Sequence, residues 1–286
     1  MPTTLHELTT SDHSRNAIGL TYVYPVVSRR AGGVSVGINL NPNNACNWRC
    51  IYCQVPGLKR GGAPEIDFPK LHAELRGFLR ELLFGTFMQD CVPDGFRRIN
   101  DIALSGNGEP TSAREFAQVI ELIGRVMAEF GLIGKIKLVL ISNGSLMRRD
   151  YVQEGLKKMA ALNGEVWFKL DGATQEGARL INGTRISVAK TYDHLRTAAV
   201  LCPTLLQTCV FARDGQPPSE AEQRAYLAFI AQLVEERVPI KGVLLYGLAR
   251  PSMQPEAERL TALPVGWLEN FAREIEMRGI PAKLSL

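Results

Sequence analysis

The sequence predicts an α/β chain folded as an open, partial TIM-type barrel, a (β/α)6 core over residues 31–286 preceded by an N-terminal extension over residues 1–30. Three observations lead there. From about residue 34 onward, short runs rich in Val, Ile and Leu alternate with segments of helical period, the pattern of successive β/α units around a parallel sheet. No low-complexity linker divides the chain. Its 286 residues, 45% hydrophobic and 22% charged, suffice for one sizeable core.

Six strands are expected at residues 34–39, 101–105, 135–142, 165–170, 204–211 and 240–246, each followed by a helix. Leu71, Leu75, Phe78, Leu79 and Leu82 mark the first helix. Phe116, Val119, Ile120, Ile123, Val126, Met127 and Phe130 recur at i, i+3, i+4 and i+7, and Gly131 follows as a C-cap. Ser219 with Glu222 forms a capping box for a helix reaching about Glu236. Trp267, Leu268, Phe271 and Ile275 mark the last helix, between Pro264 and Gly279. Two stretches break the rhythm. Residues 41–69 carry three cysteines and the Gly61-Gly62 pair, and residues 85–100 make a connection longer than packing requires. Long connections inside compact domains are often functional.

The N-terminus is polar without an apolar h-region, and no run of about 18 uncharged apolar residues occurs, so a cytoplasmic protein is expected. A net charge of +4 is spread over short pairs such as Arg29-Arg30, Lys59-Arg60, Arg97-Arg98, Arg148-Arg149 and Lys157-Lys158. Pairs of this kind are solvated surface, which permits nucleic acid without implying it. Six cysteines in so long a chain do not make a disulfide scaffold.

Three of the six crowd into Cys46-Asn47-Trp48-Arg49-Cys50-Ile51-Tyr52-Cys53, a C-x3-C-x2-C spacing directly after the first expected strand. Neighbouring thiols bind metal or do redox chemistry. A structural zinc ion wants a fourth ligand, and the nearest candidate, His72, lies beyond a Gly-rich loop. A redox pair at Cys50 and Cys53 wants its first thiol at a helix N-terminus, whereas Val55-Pro56-Gly57 follows at once and Cys46 is left without a role. An iron-sulfur cluster takes cysteine thiolates, and three on one loop hold three corners and leave one iron open.

On these residues the chain resembles the radical S-adenosylmethionine (SAM) superfamily, whose hallmark is this spacing with an aromatic residue before the third cysteine, here Tyr52. Ser105-Gly106-Asn107-Gly108-Glu109-Pro110-Thr111 looks like that family's Gly-Gly-Glu-Pro segment. Ser142-Asn143-Gly144 and Leu170-Asp171-Gly172 close the next two strands, all at C-terminal ends where barrel active sites lie. The run from Pro25 to Arg30, the one from Ser142 to Leu146, and Leu248-Ala249-Arg250-Pro251 look like the wyosine-synthase-related branch, which is concerned with tRNA wyosine biosynthesis.

The resemblance implies a [4Fe-4S] cluster on Cys46, Cys50 and Cys53, with SAM chelating the open iron through its amino and carboxylate groups. Carbonyls at Gly106 to Gly108, with Glu109, suit the amine; Ser142, Asn143 and Asp171 stand at neighbouring strand ends. The Tyr52 backbone and Phe211 are implied adenine contacts. Lys169 stands where several relatives carry serine, and either the SAM carboxylate or a substrate anion suits it. Each of these residues also has an ordinary structural reading: turns at the glycines, an N-cap at Asp171, a solvated charge at Lys169, core at Phe211.

The family implication is an enzyme that cleaves SAM reductively to a 5'-deoxyadenosyl radical, fed by a flavodoxin- or ferredoxin-like donor. Its substrate is expected to be a small molecule or peptide, with tRNA modification and a zinc-stabilised, non-enzymatic binding module as alternatives. Cys209 alternates within an apolar strand and is expected in the core; Cys91, Cys202 and Cys209 form no C-x2-C pair. Cys91, in the long connection, is a candidate substrate contact or exposed thiol. His6, His13, His72 and His194 form no cluster and receive no role.

Overall fold

The computed structural model describes residues 8, 18–28, 32–248 and 250–285. His6, His13, Arg29, Arg30, Ala249 and most of the expected N-terminal extension lie outside the described residues. Eight strands form one open sheet: β1 (Val23–Ser28), β2 (Gly33–Ile38), β3 (Ile99–Leu104), β4 (Lys137–Ser142), β5 (Gly164–Lys169), β6 (Thr204–Val210), β7 (Ile240–Gly247) and β8 (Ala282–Ser285). They lie side by side in chain order. All neighbours are parallel except β1, which runs antiparallel to β2.

The six expected strands are β2 to β7, with ends shifted by one or two residues. The sequence pattern missed the two outer strands for identifiable reasons. β1 contains Pro25, which lacks a donor and is tolerated here because the strand is an edge. β8 is four residues long with little apolar character. The start of β1 is fixed by a buried carboxylate on the first helix: Glu74 accepts from the backbone N–H of Thr21, Tyr22 and Val23 at 3.0, 2.7 and 3.3 Å.

The helices are α1 (Phe68–Phe84), α2 (Phe116–Glu129), α3 (Asp150–Ala161), α4 (Gln175–Asn182), α5 (Val188–Leu201), α6 (Glu220–Glu235) and α7 (Val265–Glu276). Ser219 and Glu222 close the capping box at the start of α6. Gly131 lies beyond the end of α2 in the left-handed region. Among the described residues, no helix is long and apolar enough to cross a membrane.

Side chains alternate across a strand, so each strand has one face toward the helices and one toward the lumen. The helix-facing set includes Ile38, Ile102, Leu104, Leu138, Leu140, Val166, Phe168, Leu206 and Leu245, none more than 1% exposed. The alternate positions include the polar Ser35, Asp101, Lys137, Glu165, Lys169 and Gln207. The core therefore sits between sheet and helices, and the inner wall of the open barrel is chemically equipped.

The connection over residues 85–100 corrects an expectation. It folds into a one-turn helix at Phe87–Cys91 whose Phe87, Met88 and Cys91, with Val92, are buried in the main core. Cys91 is 1% exposed and its carbonyl accepts from the Leu8 N–H at 2.8 Å. It joins α1 to the N-terminal end of β3, away from the end that carries Cys46, Cys50 and Cys53. The length of this segment serves packing, and Cys91 is neither an exposed thiol nor a substrate contact.

Candidate functional site

Connections from the C-terminal ends of β2 to β7 share one mouth, and the loop bearing Cys46, Cys50 and Cys53 lies across it. Its shape is fixed by neighbours from several sides. Ala45 and Cys46 form a two-residue parallel ladder with Lys59 and Arg60. The Arg49 and Ile51 N–H groups donate to the carbonyls of Asn182 and Ile181 at the end of α4, at 3.1 and 2.9 Å. From the connection after β7, Ser252 Oγ donates to the Ile51 carbonyl at 2.7 Å. The Met253 N–H reaches the Cys53 carbonyl at 2.9 Å, and Gln254 Nε2 the Val55 carbonyl at 2.9 Å. Arg49 is held by both carboxylate oxygens of Glu256 at 3.0 Å.

On the other flank, Asn47 accepts from Asn143 Nδ2 at 2.8 Å and donates to Ser145 Oγ at 2.7 Å. This ties the cysteine loop to the end of β4. The glycines after β3 permit close approach: a Cβ on Gly106 would collide with Asn39 Oδ1, and one on Gly108 with the Ala45 carbonyl oxygen. In that same turn Asn107 Oδ1 is buried without a hydrogen-bond partner. A buried acceptor left open costs free energy, so it marks a place where a donor fits.

Glu109 is 2% exposed and fully engaged. Its carboxylate accepts from Thr111 N–H at 3.1 Å, Thr111 Oγ1 at 2.5 Å, Ser142 Oγ at 2.7 Å and Asn143 N–H at 2.7 Å. Burial pushes the carboxyl up, and these donors oppose the shift. Glu109 thereby clips the end of β3 to the end of β4, and Ser142 and Asn143 are brought together through it.

A second network surrounds Cys50. Asn182 Nδ2 donates to the Cys50 sulfur at 3.3 Å and to Asp171 Oδ2 at 2.7 Å. The same Asp171 oxygen accepts from the Tyr52 hydroxyl at 2.5 Å, and Oδ1 from the Cys209 N–H at 3.0 Å. The N-cap of α4 is Thr174, so Asp171 does not cap that helix and instead joins Tyr52, Asn182 and the Cys209 backbone. Lys169 is not a solvated charge. Its Nζ donates to the Tyr246 hydroxyl at 3.1 Å and lies 5.2 Å from the Tyr52 ring centroid. Burial on its own would lower the ammonium, but Asp171, Tyr246 and Cys50 outweigh it and hold the group above its ordinary range. Phe211 packs its ring 5.5 Å from that of Tyr52. Beside these two strand ends opens a cavity of about 230 Å³, lined in part by Asp171, Ile181, Phe211, Arg213 and Tyr226.

All three cysteines of the loop are reduced and half-buried. Burial pushes Cys46 up to about 12, against the Trp48 N–H that favours its thiolate, and pushes Cys50 up further. Thiols in this state would have to give up protons before they could ligate a metal. Among the described residues, no three His, Cys, Asp or Glu side chains converge tightly enough for a single metal ion. A cube-shaped cluster instead takes its ligands at separate corners, which suits three soft thiolates spread along one loop.

The sequence pattern missed Asn182, Ser252, Gln254 and Gln207. Asn182 precedes Gly183 at a helix end, where Asn-Gly signals only a cap. Gln207 carried a signal, a lone amide in the apolar run of β6. Its neighbours Leu206 and Thr208 face the helices, Thr208 meeting the Tyr226 hydroxyl at 2.7 Å, so Gln207 faces the lumen. There it lies in register with Lys169 on one side and Leu244 on the other. Its Oε1 is buried without a partner.

No protein-family model matches the chain. It is 31% identical over 135 residues to a UPF0026 protein of Helicobacter pylori, covering 47% of this chain and 38% of that one. To a UPF0026 protein of Synechocystis it is 31% identical over 163 residues, covering 56% and 52%. The chain thus matches about half, or less, of the length of these relatives. In structure it is similar to a radical SAM methyltransferase from Sphaerobacter thermophilus, with TM-score 0.57 and 13% identity, over 92% of this chain and 68% of that one. It is similar to TYW1 with a lysine-pyruvate adduct bound, with TM-score 0.55 and 15% identity, over 85% and 73%. A cysteine-to-alanine mutant of spore photoproduct lyase superposes with TM-score 0.54 and 11% identity, over 84% and 73%.

Proposed function

We propose that this chain, which has the fold of the radical SAM enzymes, is one of them in function. It holds a [4Fe-4S] cluster on Cys46, Cys50 and Cys53, binds SAM at the open iron and acts on a small molecule or peptide in the barrel lumen. Three reduced thiols on one loop, braced from the ends of β3 and β4, from α4 and from the connection after β7, carry this assignment. The cluster with SAM bound supplies one-electron cleavage of a sulfonium and a carbon radical able to abstract hydrogen.

The chain's own part is to hold, orient and exclude water. Asn182 donates to the Cys50 sulfur and stabilises negative charge there. Asn107 Oδ1, with the carbonyls of Gly106 to Gly108, offers acceptors for an ammonium group. Glu109 positions that turn, since its own acceptor sites are taken. Lys169 offers a cation to a carboxylate. Phe211 and Tyr52 beside the cavity offer flat apolar surface to an adenine ring. Deeper on the inner wall, Gln207 presents an acceptor to a substrate N–H or O–H. A flavodoxin- or ferredoxin-like protein supplies the electron.

Anaerobically reconstituted protein is expected to carry about four irons and four labile sulfides per chain. It should cleave SAM to 5'-deoxyadenosine with dithionite, and Cys50→Ala should lose both properties. One zinc without sulfide, or equal cleavage by the variant, overturns the assignment. A second reading, tRNA modification, draws on the fold likeness to TYW1. It requires salt-dependent retention of tRNA.

A further inference from the structure

Among the described residues, two buried side-chain acceptors have no hydrogen-bond partner, Asn107 Oδ1 and Gln207 Oε1. Asn107 follows β3 and Gln207 lies within β6, so they stand three strand spacings apart, about 14 Å along the sheet. One ammonium group does not reach both. With the turn at Asn107 given to SAM, Gln207 is left for a different molecule.

The neighbours of Gln207 set what that molecule carries. Lys169 is its register partner on β5. Phe168 and Leu245 face the helices and are at most 1% exposed, so Lys169 and Tyr246 face the lumen together with Gln207. The Lys169 ammonium is held between two rings, 5.2 Å from the centroid of Tyr52 and 5.7 Å from that of Tyr246. It donates once, to the Tyr246 hydroxyl at 3.1 Å, although an ammonium has three donors. Among the described residues it makes no ion pair. Both oxygens of Asp171 are occupied by Tyr52, Asn182 and the Cys209 N–H. A cation with donors to give thus stands beside an acceptor with nothing to accept. Positions in register on adjacent strands are about 5 Å apart, so one ligand satisfies both side chains when its anionic oxygen and its N–H or O–H are on neighbouring carbon atoms. At and below this level the lumen-facing Ile141, Trp167, Leu205 and Leu244 are apolar and only half-buried.

Resting on the radical SAM reading above, we propose that Lys169 and Gln207 seat the substrate, and that the substrate is a small α-amino or α-hydroxy acid with an apolar side chain. Its carboxylate accepts from Lys169, its α-amino or α-hydroxyl group donates to Gln207 Oε1, and its side chain lies against Trp167 and Leu244. SAM carries an amino acid group of its own, so the pair is tested with SAM already bound.

Reconstituted holoenzyme saturated with SAM is titrated by calorimetry with leucine, phenylalanine and tryptophan and with the α-hydroxy acids of the same skeletons. For each acid that binds, two truncated analogues follow, one lacking the α-donor and one lacking the carboxylate. At least one acid is expected to bind, and each of its analogues should bind about tenfold or more weakly. In Gln207→Met the acid and the analogue lacking the α-donor should bind within about twofold of each other, since the acceptor is gone. Lys169→Met should lose the acid. Gln207→Met keeps the length of the side chain, so that arm decides even where Lys169→Met does not fold. Failure of every acid to bind, analogues that bind as tightly as the parent, a preference for the α-donor that persists in Gln207→Met, or displacement of the acid by rising SAM each overturn the proposal. Iron, sulfide and dithionite-driven cleavage are measured on the same wild-type preparation. Their absence overturns the cluster assignment, and titration of the metal-free protein still decides the pair; their presence beside failed titrations overturns the substrate class alone.

Discussion

The helix α1 has a long connection at each end, both interrupt the β/α rhythm, and each carries cysteine, yet the two are built by opposite means. The connection before it, at the C-terminal end of β2, is held by polar contacts: Asn47 to Asn143, Ser252 to the Ile51 carbonyl, Asn182 to the Cys50 sulfur. Its thiols stay half-exposed. The connection after it, at the N-terminal end of β3, is held by buried Phe87, Met88, Cys91 and Val92. Hydrogen bonds fix atoms by direction, whereas apolar packing fixes only volume. A loop that must present ligands needs the first kind, and one that seals a barrel floor needs only the second.

That contrast is broken most severely at Glu109, the anchor of the polar end. Glu109→Gln turns one acceptor oxygen into a donor facing N–H or O–H groups of Thr111, Ser142 or Asn143. Denaturant unfolding of the metal-free protein should show a loss of about 3 kcal/mol. A change under about 0.5 kcal/mol would show that the network does not hold the two strand ends together.

The next effect separates the two kinds of cysteine. Cys91→Ser puts a hydroxyl into an apolar site and should cost about 1–3 kcal/mol while leaving iron content untouched. Cys50→Ala should do the reverse, removing the iron with little loss of metal-free stability. Iron analysis and unfolding curves on the same two preparations check both halves. Loss of iron in Cys91→Ser without loss of stability would erase the distinction.

Much of this was legible in the sequence, and the gaps have physical causes. The inner six strands declared themselves because their helix-facing residues are fully buried and several lumen-facing ones, such as Val139, Ile141 and Leu244, are apolar as well, so their apolar runs are dense. Pro25 disguised β1, and brevity disguised β8. Cys46, Cys50, Cys53 and the turns after β3, β4 and β5 were legible because spacing and strand-end position survive without coordinates. Ser252 and Gln254 were not, since they meet the cysteine loop across 201 and 199 residues of chain. Asp171 and Lys169 were legible as candidates, but only the fold shows that one joins Tyr52, Asn182 and the Cys209 backbone while the other faces Tyr246. The connection over residues 85–100 was misread because length alone does not distinguish a working loop from a packed one.

The smallest effect has the opposite sign. Gln207 is 5% exposed, and its Oε1 has no partner, so the unliganded fold bears the desolvation of an acceptor without the return of a hydrogen bond. Gln207→Met keeps a long unbranched side chain at this position and removes the polar atoms. Its neighbours in register are Lys169, already donating to Tyr246, and the apolar Leu244, so no existing bond is lost with the amide. Thermal and urea unfolding should therefore show a gain of about 1 kcal/mol, where nearly every other buried substitution destabilises. A loss of similar size would mean that the carboxamide is satisfied in solution and that the inner wall is not poised for a donor. A gain would identify Gln207 as a residue kept at the expense of stability, as expected of a position that serves a bound ligand in the lumen.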